Sequence, residues 1–123
     1  MLNKSLRLQS RSAFVATYRQ KRIVSDENII LYGGKNKEDD KNYPTRVGFV
    51  VSKKIHKRAV KRNRIKRLMR QAYADLLKTS EIEQGQAFQS LIFVAREGSL
   101  GKNYNEIFLS VKNLVNNLAI KFI

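Results

Sequence analysis

Apolar residues recur along this chain in two rhythms. From Gln9 to Gln20 a serine at Ser10 or Ser12 precedes Phe14, Val15 and Tyr18, and the four-residue step from Phe14 to Tyr18 predicts a short capped helix. "NIILYGG", from Asn28 to Gly34, is β-branched and aromatic and stops at paired glycines, so it predicts a strand ending in a turn. A further short strand is expected near Ile23 and Val24. The polar stretch from Lys35 to Tyr43, backed by Pro44, predicts a surface loop. "RVGFVVS", from Arg46 to Ser52, predicts a second strand covered on at least one face, with Gly48 marking a close approach. Ala59 to about Lys78 holds no Gly or Pro and predicts a long helix. "SLIFVA", Ser90 to Ala95, predicts another strand, ended by Gly98 and Gly101. From Tyr104, apolar Ile107, Phe108, Val111, Leu114, Val115 and Leu118 fall at helical spacing. This order predicts an α+β fold, a two-layer sandwich in which helices pack one side of a small sheet. With 123 residues, 42% of them hydrophobic, one domain spanning 1–123 is expected.

Charge changes the picture. The formal net charge is +15, and Met1 to Ala74 carries 20 Lys and Arg against 5 Asp and Glu, while Asp75 to Ile123 carries 5 of each. From Lys41 to Ala74 there are 12 cations and no carboxylate. Such self-repulsion raises the cost of folding unless a polyanion accompanies the chain, and nucleic acid is the leading candidate. An anionic membrane surface is the rival, but a membrane-lying basic helix needs large apolar residues free of core duties on its other face. The longest apolar runs are far too short to cross a bilayer, and "MLNKSLRLQS" has no apolar stretch of signal-peptide length, so a cytoplasmic protein is expected.

The long helix divides into two faces. At about 100° per residue, Ile65, Leu68, Met69, Ala72 and Leu76 share one arc, which must face the core, while Arg62, Lys66, Arg70, Asn63, Arg67 and Arg64 take the rest. A solvated face normally mixes signs, because i, i+4 pairs of opposite charge support a helix and like charges oppose it. Here no carboxylate comes before Asp75, which favours phosphate binding over a merely hydrated surface. Guanidinium forks bind phosphate at two points and stack on bases, and Asn63 offers a donor and an acceptor to a sugar or base edge. Phe14, Tyr18 and Tyr32 are candidates for a surface on which unpaired bases stack; core packing is the competing use, strongest for Phe14.

Catalytic chemistry is thin. One histidine and no cysteine exclude an ordinary zinc site, a Cys-His pair and a disulfide framework. His56, inside "KKIHKRA", reads as a solvated loop residue or a further RNA contact. Asp39 and Asp40 are adjacent carboxylates in a charged loop, an arrangement too common to define a magnesium site. Any reaction this chain serves belongs to another molecule.

"AVKRNRIKRLMR", Ala59 to Arg70, joined in order by "RSAFVATY" from Arg11, Leu31-Tyr32, "RVGFVVSKK" from Arg46 and "FVAREG" from Phe93, resembles the protein subunit of bacterial ribonuclease P over nearly the whole chain. That resemblance implies a ribonucleoprotein endonuclease that removes the 5′ leader from precursor transfer RNA. By the same resemblance the active site would lie in the RNA partner, magnesium would be held mainly by RNA and none by the protein, and no catalytic residue is expected in this chain. It implies a mixed sheet with a left-handed βαβ crossover, against the usual hand. Its partners would be the catalytic RNA and precursor transfer RNA, with no membrane and no obligate protein partner. Arg62, Asn63, Arg64, Lys66, Arg67 and Arg70 match the family's basic helix, Lys53 and Lys54 match the cationic end of the preceding strand, and Arg58 joins them as an RNA contact. Phe14, Tyr18 and Tyr32 match the cleft that takes the single-stranded leader. Lys21 departs from a glycine common in the family after the first helix, and a basic tail found in some members is missing after Ile123. A ribosomal or ribosome-associated RNA-binding protein is the alternative; an independent nuclease is disfavoured by the missing catalytic inventory.

Overall fold

A computed structural model describes residues 2, 4–37 and 43–122; Asp39 and Asp40 lie outside the described residues. Helix α1, Arg11–Arg19, begins at Ser10, whose Oγ accepts a hydrogen bond from the Ala13 N–H at 3.1 Å, so Ser10 and not Ser12 is the cap. It ends where Lys21 turns left-handed at φ 53°, the conformation that glycine adopts without steric cost. The glycine that the resemblance leads one to expect here would take this conformation without that cost. Strands β1, Arg22–Ser25, and β2, Ile29–Gly33, form a hairpin. Strand β3, Arg46–Val50, leads through a basic loop into helix α2, Ala59–Lys78, and strand β4, Ser90–Ala95, precedes helix α3, Tyr104–Phe122. Short 3-10 turns at Lys4–Leu6, Glu83–Ala87 and Glu97–Ser99 complete the elements.

The sheet order is β1-β2-β4-β3, antiparallel except for the β3–β4 pair. That parallel pair requires a crossover, and α2 supplies it. The βαβ unit named by the resemblance is thus β3–α2–β4. Register aligns Leu31, Phe93 and Phe49 in one row across the sheet. Phe49 stacks on Phe93 with ring centroids 5.6 Å apart, and Tyr73 of α2 packs at 6.2 and 5.7 Å from the two rings. Against this face Ile65, Met69, Ala72 and Leu76 of α2 and Ile107, Val111, Val115 and Leu118 of α3 bury almost completely. Leu68, placed by helical arithmetic on the core arc, is only half-buried at its edge. Burial lifts the Tyr73 phenol to about 12, and its hydroxyl accepts a hydrogen bond from Gln86 Nε2 at 3.2 Å.

Helix α1 breaks the expected one-sided packing. It lies on the opposite face of the sheet, over the row Tyr32, Ile92 and Gly48. The reason is that β4 is apolar on both faces: Leu91, Ile92 and Phe93 are all fully buried, so the sheet needs cover on each side. Thr17 and Ser90 hydroxyls meet at 2.5 Å inside this contact and tie α1 to the start of β4. Gly48 is the close approach read from the sequence, since a Cβ there would stand 2.6 Å from the Phe14 ring.

Candidate nucleic-acid interface

Two surfaces are joined by the chain that leaves the end of β3 and enters α2. The first is aromatic. Tyr18 and Tyr32 pack edge to face with centroids 4.7 Å apart, and Phe14 lies 6.5 Å from Tyr18, so the three residues singled out from sequence come together between α1 and the sheet. Tyr18 remains 36% exposed, leaving part of its ring for a ligand. Partial burial, with Tyr32 alongside, pushes its phenol above the ordinary value, so it is a neutral hydrogen-bond donor near neutral pH. Beyond these rings, Ile30, Val94 and Val50 form the next row on the same face, all half-buried. An apolar floor beside an aromatic wall suits bases better than phosphates.

The second surface is cationic. Ser52 to Arg58 carries the chain from the floor of the cleft to the N-terminus of α2, with Lys53, Lys54 and Arg58 exposed. Lys61, Asn63, Arg64 and Arg67 are exposed on α2, and Lys66 and Arg70 are half-buried. Among the described residues no carboxylate lies within salt-bridge distance of any α2 cation; the ion pairs present join Lys102 to Glu27 and Glu106, and Lys112 to Glu81. The first carboxylate on α2, Asp75, is occupied otherwise. It accepts hydrogen bonds from the Tyr104 hydroxyl and from Gln71 Nε2, which hold it below the usual carboxylate range. Cations in the first turn of α2 also oppose the helix dipole, and no acidic residue is present there to offset them. The surface is therefore set up for an external anion. A hollow of about 430 Å³, lined by Val60, Lys61, Arg64, Arg67 and Leu68, runs along it, and Val60 is 75% exposed at its rim.

The basic side chains are not equivalent, which the charge run did not reveal. Arg62 turns back and donates to the carbonyls of His56 and Lys57 at 2.8 and 2.7 Å, clamping the basic loop onto α2. Arg64 donates to the Lys102 carbonyl at 3.1 Å, bracing α2 against the approach to α3. His56 is a structural residue as well, because its Nδ1 accepts from the Arg58 N–H at 3.0 Å and so closes the entry to the helix. Its place two residues before an uncapped helix start was the available signal. Among the described residues no group of three or more His, Asp or Glu side chains is arranged to hold a metal ion.

A family model described as Ribonuclease P matches residues 2–119. The ribonuclease P protein component of Clostridium kluyveri is 35% identical over 114 residues, covering 93% of this chain and 95% of that protein, and that of Clostridioides difficile is 34% identical over 118 residues, covering 96% of each. Among solved structures, the Staphylococcus aureus RNase P protein superposes with a TM-score of 0.73 at 28% identity, covering 93% of this chain and 95% of that one. The Thermotoga maritima RNase P protein shares the fold at 22% identity, with a TM-score of 0.61.

Proposed function

The chain belongs to the ribonuclease P protein family, and from that premise we propose how its two surfaces divide the work. It is the RNA-binding subunit of an endoribonuclease that removes the 5′ leader from precursor transfer RNA, and membership decides against the ribosome-associated alternative. In our reading the catalytic RNA carries the active site and binds the magnesium ions, while this chain acts in the cytoplasm by holding RNA. Lys53, Lys54, Arg58, Lys66, Arg67 and Arg70 contact phosphates of the catalytic RNA. Arg62 and Arg64 position the loop and helix that present those cations and use their remaining donors for RNA. Phe14, Tyr18 and Tyr32 stack the single-stranded leader.

The observation that carries this reading is an aromatic, apolar-floored cleft joined through the basic link after Val50 to a cationic helix that has no counter-carboxylate among the described residues. Two polyanions brought within about 10 Å repel even in 0.1 M salt, and a cationic protein between them reduces the magnesium required. The test is 5′ cleavage of a precursor transfer RNA by a bacterial ribonuclease P RNA at low magnesium, without protein, with this protein, and with Lys54→Ala plus Arg67→Ala. Accurate cleavage restored by the protein and weakened by the double substitution is expected. Protein that binds RNA tightly yet leaves cleavage unchanged would remove the proposal.

A further inference from the structure

The opposite flank of α1 holds a second groove. One hollow of about 470 Å³ is lined by Ala13, Ala16 and Gln20 of α1 together with Lys35, Arg46 and Gln89. A second, of about 550 Å³, continues from it around Leu8, Ala13 and Arg46 towards Lys4, Arg7 and Ser10. Sheet register explains the groove. The residues Gly34, Ser90 and Arg46 follow Tyr32, Ile92 and Gly48 two positions along on the same face, since Gly34 N–H donates to the Ser90 carbonyl and Ser90 pairs with Arg46. Helix α1 covers the middle row, leaving the aromatic cleft on one flank and this groove on the other. The alanines of α1 keep the groove open.

Its chemistry is that of a nucleic-acid trough. Lys4, Arg7, Lys35 and Arg46 line it, and no carboxylate does among the described residues. Gln20 and Gln89 bring amide groups, which can pair with a base edge; Gln89 Nε2 donates to the Asn36 carbonyl at 3.3 Å, so its Oε1 remains available to accept. Tyr43, on the wall of the first hollow, has Lys37 over its ring at 5.6 Å. The mouth of the groove adjoins the cleft: β2 passes from Tyr32 to Gly34 in two residues, and α1 has ended by Gln20. A strand lying against Tyr18 and Tyr32 reaches it by passing over the short link from Gln20 to Arg22 that ties the end of α1 to β1.

We propose that this groove binds the distal part of the precursor's 5′ leader, upstream of the nucleotides held in the aromatic cleft, so that α1 is a post around which the leader bends. The inference rests on the leader-cleft reading above. A catalytic-RNA strand has the same chemistry, but continuity with the cleft selects the leader.

The test uses the complex of this protein with a bacterial ribonuclease P RNA, and compares affinity for precursors whose single-stranded leader is either short enough to end in the cleft or extended by several nucleotides. Extension is expected to tighten binding about tenfold, the scale of one or two charge-assisted contacts. Ala16→Trp, which fills the groove without altering charge, and separately Lys35→Ala with Arg46→Ala, should each abolish that gain and leave short-leader affinity unchanged. Circular dichroism confirms folding, and the charge variant stands if the bulky one fails to fold. A photoreactive uridine in the distal leader should cross-link to the segments bearing Lys35 or Arg46. No gain on extension, a gain retained in both variants, or a loss of affinity for the catalytic RNA alone in both would overturn the proposal. Tyr18→Ala reports separately on the cleft: short-leader affinity that survives it overturns the cleft reading, whatever the groove shows.

Discussion

Gly48→Ala is the smallest change that should open the aromatic cleft to question. The added Cβ would lie 2.6 Å from Phe14 Cζ, 2.7 Å from Cε1 and 3.6 Å from Leu8 Cβ. Carbon atoms prefer about 3.5–4.0 Å, so the ring or the helix must move by about 1 Å. The helix is not free to follow, because Thr17 is bonded to Ser90 and Tyr18 packs on Tyr32. The Phe14 ring must swing instead. Overpacking of this kind costs about 1–3 kcal/mol, measurable by urea denaturation. Displacing one stacking ring should also cost about 1–3 kcal/mol per base, or roughly 5- to 140-fold in leader-dependent affinity. The assay is the ratio of affinities for precursor and mature transfer RNA in the reconstituted complex. A double-mutant cycle supplies the check: in a Phe14→Ala background the clash is gone, so Gly48→Ala should cost little further in stability or affinity. Equal penalties in both backgrounds, or a precursor-to-mature ratio unmoved by Gly48→Ala, would refute the claim that this glycine exists to seat Phe14.

Affinity for the catalytic RNA should fall steeply with salt: neutralising about six phosphates gives a log-log slope near −4 to −5, and titration calorimetry or filter binding showing a slope near zero would sink the electrostatic account. With no carboxylate within salt-bridge distance of the α2 cations among the described residues, the free protein should lose helix content at low ionic strength and regain it with sulfate or phosphate, followed by circular dichroism; identical spectra with and without anion count against it. Lys21→Gly should stabilise the fold by about 1 kcal/mol, because it relieves a left-handed residue at φ 53°, and an unchanged urea midpoint would show that no strain resides there. Asp75 has a carboxyl held below its unfolded value by the Tyr104 hydroxyl first and Gln71 second, so its stabilising effect is present above about pH 4 and fades as pH falls through the lower folded value. Asp75→Asn should therefore flatten the acid limb of the melting-temperature profile, and a limb of undiminished steepness would contradict that.

Much of the frame was legible because it depends on local pattern. The strands at Ile29, Arg46 and Ser90 announce themselves by β-branched runs, and α2 by twenty residues without a breaker. The cationic face was legible for a different reason: like charges at i, i+3 and i+4 oppose a helix, so their persistence implies a use. The side of the sheet taken by α1 was not legible. Strand β4 is apolar at Leu91, Ile92 and Phe93 alike, and a run without alternation carries no information about which face a helix covers. Nor was the inward turn of Arg62, since a run of cations looks uniform until the loop carbonyls of His56 and Lys57 are in place. The groove behind α1 was hidden most completely. Its cations, Lys35 just after β2 and Arg46 at the start of β3, meet only through the pairing of Gly34 with Ser90 and of Ser90 with Arg46.

On the proposed reading, the link between β3 and α2 is what would let such a small sheet serve two RNA surfaces. Val50 ends the cleft floor, and after it Lys53, Lys54 and Arg58 lead directly into the basic helix. An unrestrained loop of this charge would splay, and the angle between cleft and helix would vary with it. Arg62 prevents this with two carbonyl bonds, His56 Nδ1 adds a third bond by accepting from the Arg58 N–H, and Arg64 fixes the same helix to the Lys102 carbonyl. Each of these bonds spends a donor or acceptor that could have faced solvent or RNA. That expenditure makes sense if what the chain supplies is a fixed distance between two bound strands. Charge alone would draw both RNAs to the protein, but only a rigid link between the surfaces would hold the leader in one register relative to a catalytic RNA bound along α2.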